Sequence, residues 1–402
     1  MRVKRSLVAL SLLASACGST TDYLGDGRLG PLHGPASYPN AFKDLLGKSD
    51  AEIELKLSSA FEQLFHGDPN TEAIYAADGA DQAVINDVLH ADQRTEGFGL
   101  AMLIAVQLDH RDEFDRLWRG VQRFRYTSGP FAGYFYSNCD SASGTRMCVD
   151  PYGLQQLVMA LVLARGRWQA EARTIDYAAE AYQLIYLMRY TVERNGGVAT
   201  TAVDSFDPKT KLVLDEPKAE LQNQTRPSLG MPAYYALWGR ATGDAFLEAA
   251  AVATRKYLSL VSNTNTGLTP VRATLDGKPV ADSDSFQPES YRVQINLALD
   301  HIWVGPSAVD VELSNRLLKF FSGQGESYGS SFTLEGSVLN VAHEPALVSV
   351  NGFSALISSN ADRADYVSAV WNQALSVGPA RYYSGLLQML ALLALSGRLR
   401  VY

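Results

Sequence analysis

From position 51 onward, apolar residues recur every three or four positions along one segment after another, with turn-forming residues between the segments. This spacing is typical of amphipathic helices. Very short turns, such as the one at Asp109 and His110, force successive helices to lie antiparallel. The pattern predicts about twelve helices, near 51–66, 97–109, 111–126, 153–168, 172–194, 231–241, 243–261, 290–303, 308–322, 347–359, 363–373 and 382–395.

Two stretches, 196–225 and 262–288, do not follow the helical spacing. They contain Val/Thr pairs and the turn Asp276-Gly277, which predict short hairpins or long loops between helices. Helices paired in this way close naturally into a ring of six hairpins, an (α/α)6 toroid, whose loops gather at one end and build a cleft. Periodicity alone also permits a helical solenoid.

The composition is that of an ordinary globular protein with a large core. The chain has 402 residues, of which 47% are hydrophobic and 19% charged. No Pro/Gly/Ser-rich linker interrupts the middle of the sequence, so residues 41–402 are predicted to form a single domain, expected to be a monomer. The formal net charge is −8, and basic residues cluster only within the first five positions. Nucleic acid is therefore not an expected partner.

The N-terminus resembles an export signal. A basic start is followed by an apolar run from Ser6 to Ala16 that is too short to span a bilayer, and then by Cys17. Residues 13–17 resemble a bacterial lipoprotein cleavage site, which predicts a signal over 1–17, lipidation of Cys17 and membrane attachment through this anchor. Residues 18–40 would be a flexible tether. The protein is accordingly expected at the outer membrane or cell surface, or in the periplasm. Ordinary cleavage that discards Cys17 is the alternative.

The remaining two cysteines, Cys139 and Cys148, lie close together in a polar loop. Because disulfides persist in exported proteins, the sequence predicts a bond between them. Two free thiols are the alternative.

A single carboxylate, Glu96, stands at the start of the almost wholly apolar segment 97–106, which reads as a buried helix. Burial disfavours a charged carboxylate, so Glu96 is expected to be paired with a cation or to serve as a proton donor. The alternative is that it only caps the helix beside Thr95.

The stretch from Asp92 to Trp118, which contains Thr-Glu-Gly at 95–97, resembles the signature region of glycoside hydrolase family 8. Further blocks in the family's order occur at 129–135, 289–293 and 381–397. Within the family the resemblance is strongest to reducing-end xylose-releasing exo-oligoxylanases. It implies an (α/α)6 toroid and an inverting mechanism in which Glu96 is the general acid.

The same resemblance exposes departures from the family's pattern. The family's general base is an Asp just before a Tyr-Arg pair, and the matching residue here is Glu289. The extra methylene moves the carboxylate by roughly 1 Å, which can cost on the order of 10²-fold in rate if the water is misplaced. Glu289 could instead only pair with Arg292 or cap the following helix.

Two further positions differ. A family Asp that stabilises the distorted sugar ring aligns with Tyr152, and Asp150 lies two residues earlier. Either Asp150 supplies the negative charge that stabilises the sugar ring, or Tyr152 has a different role at this position, because a tyrosine is not an anion at neutral pH. Arg226 occupies a position that is acidic in close relatives, and an added cation would suit an acidic sugar.

Sugars pack their C–H faces against aromatic rings, and aromatic residues make up 10% of the chain. The substrate-binding candidates are Arg94, Tyr134, Tyr136, Tyr152, Arg226, Arg292, Tyr382 and Tyr383.

The sequence therefore predicts an inverting glycoside hydrolase that cleaves a β-linked oligo- or polysaccharide, with xylo-oligosaccharide as the first candidate. One alternative is a catalytically inactive family 8-like lipoprotein that binds glycans at the surface, and another is a toroidal lyase or isomerase acting on uronates. The sugar, the linkage and the endo or exo mode stay open. No cofactor or metal is expected, because the G-x-G-x-x-G match at 25–30 follows no strand and the histidines lack metal-ligand spacing.

Overall fold

The computed structural model describes residues 29–138, 147–168, 175–199 and 201–402. Helices dominate it. They are α1 (Ala41–Leu46), α2 (Asp50–His66), α3 (Thr95–Leu108), α4 (Arg111–Val121), α5 (Pro151–Trp168), α6 (Tyr177–Arg194), α7 (Pro232–Thr242), α8 (Ala245–Val261), α9 (Arg292–Leu299), α10 (Ala308–Ser322), α11 (Pro345–Ile357), α12 (Arg363–Asn372) and α13 (Tyr383–Leu395).

The helices α2–α13 form two concentric layers. The helices α3, α5, α7, α9, α11 and α13 are buried along most of their length and form the inner layer. The other helices bury one face against them, as expected for amphipathic segments. Inner neighbours contact one another around the ring, with α5 and α7 joined by hydrogen bonds from Tyr234 to Gln156 and from Tyr235 to Gln155. Helix α13 contacts both α3 and α2, which joins the two ends of the chain. This is the predicted (α/α)6 toroid, and each predicted helix is present.

Short antiparallel strand pairs lie between the helices: β1 (Tyr75–Asp78) with β2 (Gln82–Ile85), β3 (Tyr136–Asn138) with β4 (Met147–Val149), β5 (Gln224–Thr225) with β6 (Ala273–Thr274), and β7 (Ser331–Phe332) with β8 (Val338–Asn340). The third pair ties the segment 201–225 to the segment 262–288. Both stretches are therefore inter-helix loops, as the sequence predicts, and the Asp276-Gly277 turn closes beside β6.

Glycines bring the N-terminal ends of α3 and α5 together. A Cβ at Gly99 would lie 2.5 Å from the Cβ of Gln156, and a Cβ at Gly153 would lie 2.6 Å from the backbone nitrogen of Glu96. Larger residues at these positions would push the two helices apart. Among the described residues, no helix combines the length and apolar character that crossing a membrane requires.

Candidate active site

The inner helices begin at the same end of the toroid, and a cavity of about 910 Å³ opens there. Glu96 of α3, Arg292 of α9 and Tyr383 of α13 line it from the first turn of their helices. The loops 201–225 and 262–288 supply the opposite wall, including Asp215 and Arg272. Helix N-termini carry partial positive charge and therefore favour acidic groups at this end.

Glu96 is paired with a cation, which was one of the two expectations for it. Arg292 donates from Nη2 to Oε1 of Glu96 at 2.6 Å, and the Glu96 side chain is 15% exposed. Burial raises the pKa of Glu96, and the charge of Arg292 opposes this effect without cancelling it. Within the described part of the chain, Oε2 of Glu96 accepts no hydrogen bond. A largely enclosed carboxyl at a cavity wall, whose surroundings favour the neutral form, suits a proton donor.

Glu289 precedes α9 in a 3₁₀ turn, Pro288–Tyr291, and faces the same cavity. Arg226 donates from Nη1 to its Oε1, and Nη1 of Arg292 lies 3.8 Å from the same oxygen. Burial disfavours the charged form, but the charges of Arg226 and Arg292 outweigh it and lower the pKa of Glu289 to about 2. Glu289 is therefore an anion at any ordinary pH.

Asp150 and Tyr152 occupy different environments. Asp150 lines the cavity, and its carboxylate accepts hydrogen bonds from Thr95 Oγ1 at 2.6 Å, Ser137 Oγ at 3.3 Å and the Gly153 amide at 2.9 Å. Tyr152 is only 2% exposed and lies behind the cavity wall, where its ring packs 4.0 Å from the Arg292 guanidinium. Of the two alternatives, the geometry favours Asp150 as the residue that presents a charge to a bound sugar.

The other substrate-binding candidates divide into two groups. Arg94, Tyr382 and Tyr383 line the cavity. Tyr383 also donates to the Pro288 carbonyl at 2.5 Å, which braces the turn that carries Glu289. The Tyr382 hydroxyl is buried and has no hydrogen-bond partner among the described residues.

Tyr134 and Tyr136 do not reach the cavity. Tyr134 is fully enclosed, and its hydroxyl bonds to Thr191 Oγ1 at 2.8 Å and Ser205 Oγ at 2.9 Å. The expectation that it contacts sugar is corrected, because its ring and hydroxyl are already occupied by protein groups. Tyr136 packs on Phe124 and donates to the Arg123 carbonyl at 3.2 Å, so this candidate is also placed elsewhere.

Arg226, a predicted substrate-binding residue, lines the cavity but is paired with acidic side chains. Its Nε lies 2.6 Å from Oδ1 of Asp215, and its Nη1 contacts Glu289. Asp215 in turn accepts from Arg272 at 2.8 Å. The cation that replaces an acidic position is thus neutralised within the protein, and the expectation of a free cation for an acidic sugar is corrected.

Several lining residues are not among the candidates predicted from the sequence. Asp215 and Arg272 belong to the two cleft loops, Glu344 precedes α11, and His90 bonds through Nδ1 to the buried carboxylate of Asp87 at 2.7 Å. Their segments carry no periodic signal, so only the closed toroid brings them together. Among the described residues, no group of His, Cys, Asp and Glu is arranged to hold a metal ion.

Cys148 lines the cavity and is disulfide-bonded. Its predicted partner, Cys139, and the predicted lipidation site, Cys17, lie outside the described residues. The pairing and the lipid anchor remain predictions.

Comparison with known proteins shows the family and the fold. The model of the glycosyl hydrolases family 8 matches residues 74–397. Rex8A, a reducing-end xylose-releasing exo-oligoxylanase from Paenibacillus barcinonensis, is 32% identical over 91% of this chain and 97% of its own. Its structure in complex with xylose superposes with a TM-score of 0.83 at 31% identity, over 91% of this chain and 98% of that one. A family 8 xylobiose complex from Teredinibacter turnerae gives a TM-score of 0.81 at 29% identity, over 91% and 98%.

Proposed function

Because this chain belongs to glycosyl hydrolases family 8, and is therefore a glycoside hydrolase, we propose that it cleaves β-linked xylo-oligosaccharides with inversion at the anomeric carbon. The observation that carries the proposal is that Glu96 and Glu289 both contact the guanidinium of Arg292 at the cavity wall. The distance between the Oε1 atoms of Glu96 and Glu289 therefore cannot exceed the sum of these two contact distances and the distance between the two Nη atoms of Arg292. This is compatible with the roughly 6.5–9.5 Å between the carboxyls of inverting glycosidases.

The pKa values of the two carboxyls are shifted in the opposite directions that inversion requires, since that of Glu96 is raised and that of Glu289 is lowered. Glu96 gives its proton to the glycosidic oxygen as the C1–O bond breaks. A water attacks C1 from the opposite face and gives its proton to Oε2 of Glu289, the oxygen that Arg226 leaves free. Asp150, held by three hydrogen bonds, presents negative charge to the ring as positive charge develops on it.

Two facts support a xylo-oligosaccharide as the substrate. Rex8A is described as releasing xylose from the reducing end of its substrate, and solved relatives hold xylose or xylobiose. The cavity of about 910 Å³ lies within the size range of pockets that enclose small ligands, which suits a short oligosaccharide.

A panel of xylo-, gluco-, chito- and uronic-acid oligomers, incubated with the purified protein, tests the substrate. Reducing-sugar release should be fastest on xylo-oligomers. Faster release from gluco- or chito-oligomers would overturn the substrate and leave the hydrolase class intact.

A second candidate function is glycan binding without turnover. The observation behind it is the Arg226 contact, because a carboxylate with a pKa of about 2 is a weak base. Calorimetry that detects xylo-oligosaccharide binding, together with no products after long incubation, would favour this candidate over the hydrolase.

We also propose that the protein is exported and anchored through a lipid on Cys17. The basic and apolar N-terminal segment that ends at Cys17 supports this. The expected tether over 18–40 is corrected, because Leu29 and Leu32 are buried in the core and the Val401 amide donates to the Tyr38 hydroxyl at 2.9 Å, so residues 29–40 belong to the folded domain. The full chain expressed in a bacterial host should partition with membranes, and a Cys17→Ser variant should not. Equal partitioning of the two would contradict the anchor.

A further inference from the structure

Arg226 bridges two carboxylates that come from different loops. Its Nε lies 2.6 Å from Oδ1 of Asp215, its Nη2 donates to the Asp215 carbonyl at 3.4 Å, and its Nη1 contacts Oε1 of Glu289. The Arg226 side chain is only 16% exposed. A planar guanidinium that is bound on two edges has a fixed orientation, so it can fix the orientation of its partners.

Asp215 is itself held rigidly. It is almost fully buried, its amide donates to the Gln224 carbonyl at 3.0 Å, and its other carboxylate oxygen accepts from Arg272 at 2.8 Å. The strand pair β5–β6 joins the two loops that carry these residues. A continuous row of alternating charges therefore runs from Arg272 at the cavity wall, through Asp215 and Arg226, to Glu289.

We propose that Arg226, held by Asp215, is a positioning residue for Glu289. Arg226 fixes Oε1 of Glu289 and leaves Oε2 toward the cavity as the proton acceptor. This inference rests on the proposed function, in which Glu289 activates water. A glutamate has one more rotatable bond than an aspartate, and an unrestrained side chain would spread its carboxylate over several positions. Because a displacement of roughly 1 Å can cost on the order of 10²-fold in rate, the longer base needs this restraint.

The restraint lowers the basicity of Glu289. The charged and titratable groups around Glu289 are Arg226, Arg272, Arg292, Glu96, Asp215 and Tyr383. Burial favours its neutral form, but the nearby guanidinium groups dominate and lower its pKa to about 2. Loss of Arg226 should therefore change both the position and the ionisation of Glu289, whereas loss of an ordinary structural arginine should change neither.

The first test reads the carboxyl directly and needs no substrate. The side-chain carboxyl carbons of glutamate are labelled with ¹³C, the Glu289 signal is assigned with Glu289→Gln, and the signal is followed by NMR from about pH 3 to pH 8. In the wild type this signal should stay that of an ionised carboxyl, whereas in Arg226→Gln it should titrate near roughly 4, the usual range of a glutamate. An unchanged titration in Arg226→Gln would overturn the proposal.

The second test is kinetic and uses a matched control. Arg189 forms a buried pair with Asp244 at 3.0 Å outside the cavity, so Arg189→Gln removes an ion pair of the same kind. Arg226→Gln should lower kcat on xylo-oligosaccharides by about 10- to 100-fold with a smaller change in KM, and should bring an acid limb into the pH profile. Arg226→Lys keeps the charge and should recover part of kcat without that limb.

The outcomes separate the two proposals. Equal losses in Arg226→Gln and Arg189→Gln, with no new acid limb, would mean that Arg226 acts only on stability, and would overturn the positioning role. If the wild type shows no turnover on any oligomer, the proposed function fails, and the NMR titration still decides whether Arg226 controls Glu289. If Arg226→Gln does not fold, the NMR and kinetic comparisons are made with Asp215→Asn, which frees one edge of Arg226 and should reduce kcat in the same direction.

Discussion

Arg292 donates to Glu96 at 2.6 Å, and burial nevertheless raises the pKa of that carboxyl above its usual range. The pairing fixes the carboxyl of Glu96 in place, while the enclosed position favours its neutral form. Arg292 thus orients the proton donor and approaches Glu289 at 3.8 Å with its other amino group. One buried cation therefore lies between the two carboxyls.

Replacement of the acid should abolish hydrolysis while binding survives. Glu96→Gln keeps the shape and one hydrogen-bond acceptor for Arg292 but has no proton to give, so kcat should fall by about 10³-fold or more. The dissociation constant for xylo-oligosaccharides, measured by calorimetry, should change less than about 10-fold. Wild-type turnover in the variant would remove Glu96 from the mechanism.

As a function of pH, kcat/KM should fall only on the alkaline side. In the proposed mechanism, hydrolysis requires a protonated Glu96 and an ionised Glu289. Burial raises the pKa of Glu96, and the neighbouring guanidinium groups lower that of Glu289 to about 2. As pH rises, kcat/KM should therefore stay flat from about pH 3 and then fall as Glu96 loses its proton, above the usual glutamate range of roughly 4. An acid limb above about pH 4 in the wild-type profile would contradict the assignment of Glu289.

Close packing at the start of α5 should be essential to the site. A Cβ at Gly153 would lie 2.5 Å from Oδ2 of Asp150 and 2.6 Å from the amide nitrogen of Glu96. Gly153→Ala should therefore destabilise the fold by about 1–3 kcal/mol and reduce activity, since both acidic groups must move. Gly323→Ala is the control, because its Cβ would come no closer than 3.3 Å to another residue. If chemical denaturation finds the two variants equally stable, the residues around Gly153 accommodate the added Cβ without cost, which would contradict this prediction.

A buried acidic pair far along the chain from the site residues should make stability depend on pH. Asp310 lies beside Asp300, which is bound by Arg255 at 2.6 and 2.7 Å, and burial together with the Asp300 charge raises the pKa of Asp310 to about 7. Its folded pKa exceeds the unfolded value of roughly 3.9, so its contribution to stability is complete below about pH 4 and is lost as pH rises through about 7.

Asp310→Asn removes this dependence. Relative to the wild type, the variant should gain on the order of 2 kcal/mol in free energy of unfolding between pH 5 and pH 8. Urea denaturation at the two pH values measures the gain. The same difference between variant and wild type at both pH values would contradict the buried-pair account.

Periodicity predicted the helices because each inner helix is mostly apolar all round and each outer helix is apolar on one face, and the family resemblance favoured the toroid over a solenoid. Boundaries shifted by a few residues, as at α6, which begins at Tyr177 rather than near 172. The 3₁₀ turn at Pro288–Tyr291 and the π-helical turn at Asp300–Val304 were predicted as parts of one helix, 290–303. Such irregular turns depend on tertiary contacts that the local sequence does not record.

The site was predictable only where a motif marked it. Glu96 was marked by the apolar run that follows it and by the family resemblance, Glu289 by the resemblance alone, and the structure places both at one cavity. The partners of Arg226 could not be found, because Asp215 and Glu289 are separated from it along the chain and meet it only through loop packing. Tyr134 lies in a family block but points into the core, since a motif does not reveal which side of the wall a side chain occupies.

The stereochemistry of the first product tests whether Glu96 and Glu289 act as the acid and the base of an inverting reaction. Xylo-oligosaccharide hydrolysis followed by ¹H NMR in the first minutes, before mutarotation, reports the anomer released by the enzyme. The α-anomer should form first from a β-linkage, because water attacks the face opposite the leaving group with Glu289 as the base. Initial β-anomer would mean retention and would contradict the pairing of Glu96 and Glu289 as acid and base.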